Sequence, residues 1–161
     1  MTSFEAAKAL NTRLTAANHN WNQGQYFERG VAGAVVSALA YVLDGREIDY
    51  LDALVPDDHN GELLVLAFAG DLIFDVRYDP TSNVTVTSRR LDDVEQVVIT
   101  QTPNYLSSWG TEDQAEAIVQ VAGVPFGLPF PMATSKCRVE FTEYLPKLIW
   151  HEASAASTSG S

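Results

Sequence analysis

The chain has 161 residues, 46% of them hydrophobic, with three Trp, six Tyr and seven Phe, and its 21 acidic against 10 basic residues give a formal net charge of −11. That length suits one domain around a single core, and the apolar content excludes a disordered chain. The acidic surplus, with Lys and Arg scattered apart from Arg89-Arg90, excludes nucleic acid and an anionic membrane as partners, because both require clustered cations.

At the N-terminus, Phe4, Ala7, Leu10, Leu14 and Ala17 recur at three- and four-residue intervals, which predicts an amphipathic helix with Ser3 as its cap. The segment MTSFEAAKALNTRL lacks a basic start followed by an apolar block, and no stretch nears the roughly 20 apolar residues of a bilayer span. Both features argue against secretion and a membrane anchor. After NHNWNQG, the run GVAGAVVSALAYVLDG has the composition of a buried helix stopped at Asp44-Gly45.

From Glu47 the pattern changes to short β-branched and aromatic blocks punctuated by Gly, Pro, Asn and Asp. EIDYLDALV reads as a strand or a helical turn. GELLVLAFAG and DLIFDVRYD read as a hairpin reversing at Ala69-Gly70-Asp71. NVTVTSRR and VEQVVITQT, bridged by Arg90 to Asp93, read as a second hairpin, and QAEAIVQVAG as a further strand. In KCRVEF, Cys137, Val139 and Phe141 alternate as a strand, followed by a short helix capped by Thr142 with Pro146 at its first turn. The string EASAASTSGS reads as a disordered tail.

These elements predict one α+β domain over 1–152: a helical pair (1–45) packed on a strongly bent antiparallel sheet or barrel (46–141), a short C-terminal helix (142–152), and a tail at 153–161. With Cys137 as the single cysteine no internal disulfide forms, and a reducing cytoplasm is the simplest compartment.

Few residues carry chemistry. The best acid/base or metal-binding cluster is Asp57, Asp58 and His59 within PDDHNG, although those residue types also build a solvated turn. The other histidines, His19 and His151, have no metal-ligand spacing with it. Cys137 reads as a small core hydrophobe in preference to a nucleophile. No G-x-S-x-G, G-x-x-x-x-G-K-[ST] or G-x-G-x-x-G occurs, which weighs against an enzyme. Asn83-Val84-Thr85 matches a glycosylation acceptor with nothing to direct it to a secretory route, and Arg89-Arg90 beside Asp92 and Asp93 reads as a neutralised turn. Tyr105, Trp109, Phe126, Phe130 and Met132 fall in loop-like stretches, where so many large apolar groups form either a lid over the sheet or a groove for a peptide.

From Gly61 to Glu152 the succession of strand, tight turn, strand, then VTVTSRRLDDVEQVVIT and a closing FTEYLPKLIWHE resembles bacterial pleckstrin-homology-like (PH-like) domains. The resemblance implies a binding scaffold without catalytic residues. It also implies a protein partner in preference to a phosphoinositide, because Asp71 and Asp75 stand near the first turn with Arg77 as the sole cation.

The expected function is therefore a non-catalytic binding or accessory protein with a protein partner and no cofactor. An acidic chaperone or immunity-type protein for a basic client, and a small metal-dependent enzyme using Asp57, Asp58 and His59, are the alternatives. A long exposed edge strand would favour a homodimer.

Overall fold

The computed structural model describes residues 3–21, 30–56, 62–79, 83–106 and 114–159. Helix α1 spans Ser3–Ala17 and α2 spans Val31–Leu43. Leu10, Leu14 and Ala17 form the buried face of α1, whereas Phe4, expected on that face, points to solvent. On α2 the buried positions Ala32, Val35, Val36, Leu39 and Leu43 follow one helical stripe. The helix stops at Asp44 and Gly45, both with positive φ (48° and 79°), as the Asp-Gly pair predicts.

Among the described residues seven antiparallel strands follow. β1 (Tyr50–Leu54), β2 (Leu63–Ala69), β3 (Leu72–Asp79) and β4 (Asn83–Arg90) form one meander in chain order, and β5 (Val94–Gln101), β6 (Glu116–Val121) and β7 (Val124–Leu128) form another. EIDYLDALV thus resolves as a strand. The β2–β3 hairpin turns at Gly70-Asp71 as expected, with Ala69 opposite Leu72 and Gly70 at φ 58°, a conformation that favours glycine.

The expected second hairpin does not exist. β4 pairs with β3, and β5 pairs with β6 in the other sheet. Leu91–Asp93 form a 3-10 turn that carries the chain between sheets, with the Leu91 amide donating to Asp71 O at 2.7 Å. Leu91 and Val94 are both buried between the sheets, so burying them turns the chain inward instead of back along β4. The structure is accordingly α+β with two sheets and no closed barrel.

The segment Ser135–Ser159 is one helix, α3, which corrects three expectations at once. KCRVEF is helical, not a strand, and the helix begins at Ser135 and not at 142. Cys137 and Phe141, four residues apart, satisfy period two and period 3.6 equally; Val139 decides, and it is exposed while Cys137, Phe141, Tyr144, Leu145 and Leu148 are buried. The residue before the helix that receives an amide is Thr134, whose Oγ1 accepts from Cys137 N at 3.2 Å, so Thr142 is not the cap and Pro146 lies in the helix interior. Backbone helix continues through 153–159, where a disordered tail is expected from composition.

The four-stranded sheet is the central layer. Every residue of β2 is buried: Leu64, Leu66 and Phe68 face the three-stranded sheet and α3, and Leu63, Val65, Ala67 and Ala69 face α1 and α2. A strand covered on both faces reads as an unbroken apolar run, which is what LLVLAFA is.

Candidate functional site

Among the described residues the buried polar side chains cluster at two places, and both serve the fold. On β1, alternation puts Tyr50 and Asp52 on the inner face. The Tyr50 hydroxyl and the Phe130 amide both donate to Asp52 Oδ2, the latter at 2.8 Å, and the Ala53 amide donates to Oδ1 at 2.8 Å. Burial raises the Asp52 carboxyl above its usual range, an effect these three hydrogen bonds partly offset. Cys137 Sγ sits 3.8 Å from Tyr50 Oη, and burial, reinforced by Asp52, pushes its thiol up to about 12. A thiol in that state is protonated and inert. Asn18 completes the junction: its side-chain amide donates to Ala53 O at 2.9 Å and to Pro131 O at 3.2 Å, joining the end of α1 to β1 and to the segment before α3.

The second cluster lies on β3 and β4. Asp75, buried opposite Leu66, accepts a forked pair of hydrogen bonds from Arg77 (Nε to Oδ1 at 2.9 Å and Nη2 to Oδ2 at 2.8 Å) and a third from Arg89 Nη1 at 3.1 Å, while Glu62 holds the other side of Arg77. The hydrogen bonds it donates to Asp75 raise the Arg77 guanidinium further above its ordinary value. Two carboxylates and two guanidinium groups balance, so the network offers no net charge to an anionic ligand.

The feature suited to a partner is apolar. Between the end of β5 and α3 lies a cleft of about 210 Å³ lined by Ala115, Thr142 and Leu145 together with Ile99 and Ile149. Tyr105 (86% exposed) and Trp150 (73% exposed) line it and stand out in solvent, and Leu106 beside Tyr105 is 98% exposed. Rings held out in water cost free energy that a partner recovers by covering them.

Local chemistry shapes this cleft. Pro146, which lines it, has no amide hydrogen, so the Thr142 carbonyl loses its helical donor. Thr142 Oγ1 accepts from the Ala115 amide at 3.0 Å and also lies 2.9 Å from Gln114 Oε1, which ties the start of β6 to the helix. Gln101 Nε2 in turn donates to Gln114 O at 2.7 Å, drawing in the end of β5. That strand pairs only with β6 among the described residues, and its other side carries no strand.

Of the residues proposed for a peptide groove, Tyr105 is the one among the described residues that lies in the cleft. Phe126 and Phe130 are buried in the core between the sheets, because VPFGL is strand β7 and the following segment is pinned by Asp52; they are packing residues, not a recognition surface. Met132 is half-exposed at φ 67°, and its carbonyl accepts from the His19 amide. Trp109, and the Asp57, Asp58 and His59 cluster, lie outside the described residues. Among the described residues no three His, Cys, Asp or Glu side chains converge as a metal site. His151 Nε2 instead lies 2.9 Å from Asp92 Oδ1, linking α3 to the inter-sheet turn. Sequence reading missed Trp150 and Ile99. Trp150 was findable, since helical spacing that buries Leu145, Leu148 and Ile149 leaves it on the outer side.

No protein-family model matches this chain, and none of the curated proteins or solved structures compared with it gives a match. No helix among the described residues is long and apolar enough to cross a membrane.

Proposed function

We propose that this chain is a non-catalytic binding module on a PH-like frame, taking an extended apolar segment of a protein partner into the cleft between β5 and α3. The observation that carries the reading is the pair of solvent-held rings, Tyr105 and Trp150, at an apolar cleft beside an edge strand. An extended segment entering there gains main-chain hydrogen bonds from the β5 edge and side-chain burial from the helix, the two terms that drive strand addition. Within 61–152, the span of the resemblance, three strands of one sheet, three of the other and a C-terminal helix follow in succession, which supports a PH-like reading. The net charge of −11 favours a segment flanked by basic residues.

Selection from a displayed library of random peptides on the immobilised chain tests this. Binders sharing alternating apolar residues, and lost when Ile99 is changed to Asp, support the proposal. Binders that hold equally to the Ile99→Asp chain place recognition elsewhere and contradict it.

A further inference from the structure

A second surface is distinct from that cleft. Among the described residues strand β4 is an edge of the four-stranded sheet, and from Asn83 to Ser88 every residue except Val84, which is partly buried, is exposed. Edge strands are ordinarily protected from pairing by bulges, Pro or charge. β7 carries Pro125 and β1 is buried except at Leu54, while the β5 edge belongs to the partner cleft. β4 runs in unbroken register with β3 and has no charge or proline before Arg89.

The same edge borders exposed apolar surface on its helical side. Val86 and Ser88 line a cleft of about 790 Å³ with Phe74 and with Tyr41 of α2, and Tyr41 is 85% exposed. An edge open to pairing and an uncovered ring beside it call for one occupant that covers both.

We infer that the occupant is a second copy of this chain, paired antiparallel through β4 across a two-fold axis. The strand is self-complementary about Val86: Val86 meets Val86, Thr85 meets Thr87, and Val84 meets Ser88, pairs of the kind that stabilise a ladder. Charge fixes the direction. Antiparallel pairing separates the two Arg89-Arg90 ends by about 20 Å, and it brings Arg89 of each copy opposite Asn83 of the other, one strand away from Asp79 on the same face. Parallel pairing would set the arginines side by side. The result is a continuous eight-stranded sheet with the two Tyr41 clefts adjoining the junction, an isologous contact that closes on itself.

Sedimentation of the full chain across the micromolar range tests the inference. A concentration-dependent monomer–dimer equilibrium is expected, weakened at least about tenfold by Val86→Lys and equally by Thr87→Lys on the opposite face, with unchanged circular dichroism and melting. A Tyr105→Ala/Trp150→Ala chain should dimerise as the parent does, which separates this contact from the partner cleft. Under mild oxidation Val86→Cys should give a disulfide-linked dimer. A chain that stays monomeric throughout, a dimer that both lysine variants leave intact, or a Val86→Cys dimer that never cross-links would overturn it.

Discussion

Asp52 accepts a hydrogen bond from Tyr50, two residues earlier on the same strand and on the same buried face. Tyr50 also stacks on Tyr144 of α3 (centroids 6.1 Å apart, planes within 10°) and packs on Phe141 at 5.1 Å. The pair therefore binds β1 to the segment before α3 and to the helix itself, and so holds α3 in the position that makes the cleft.

This junction has a pH signature. Burial raises the folded-state Asp52 carboxyl above its unfolded value, so the folded chain keeps a proton that the unfolded chain has released. Stability contributed by this group is therefore full below the unfolded value and falls as pH rises from about 4 through the folded value. Asp52→Asn should remove that slope, so that the stability difference between parent and variant changes with pH in denaturant titrations; a constant difference would contradict the assignment. Asp52→Ala, which leaves the Phe130 and Ala53 amides without their acceptor, should cost about 3 kcal/mol.

Cys137 should resist alkylation in the folded chain. Its thiol, pushed up to about 12 and with no exposed surface, is neither ionised nor reachable at neutral pH. Labelling by iodoacetamide should proceed only on unfolding. Rapid labelling of the native chain would show that the core around Tyr50 opens.

Asp75→Ala should destabilise the chain by about 1–3 kcal/mol, because it leaves Arg77 and Arg89 without their shared carboxylate while both keep partial access to water. Thermal melting reads this directly, and a change under half that range would mean that the guanidinium groups find new partners.

Pro146→Ala should act in opposite directions on stability and binding. Restoring an amide at that position returns a donor to the Thr142 carbonyl and should raise stability by about 1 kcal/mol. The loss of the ring from the cleft should weaken a peptide selected on the parent chain. Paired melting and affinity measurements check both signs.

Much of the frame is legible in residue order. LLVLAFA and LIFDVRYD declare their strands through composition, and Gly70-Asp71 declares the turn between them. The next connection is hidden because VTVTSRR and VEQVVIT look like hairpin arms, and only the burial of Leu91 and Val94 between sheets shows that they part company. Cys137 and Phe141 were ambiguous for another reason: a spacing of four fits both periods. For the site, Tyr105 is legible as an aromatic in a loop, while Gly and Pro in VPFGLPFP hide that Phe126 lies on an edge strand that tolerates them and that Phe130, in the loop after it, is drawn into the core by Asp52. The cleft itself combines residues about 50 positions apart, Ile99 and Trp150, and no local pattern reports that approach.

The most direct measurement is the affinity of one selected peptide for the parent chain and for the Tyr105→Ala/Trp150→Ala chain, with folding checked by melting. Loss of at least about tenfold in affinity at unchanged stability is the predicted result, as for exposed aromatic anchors elsewhere. Equal affinity for both chains would contradict a partner cleft between β5 and α3.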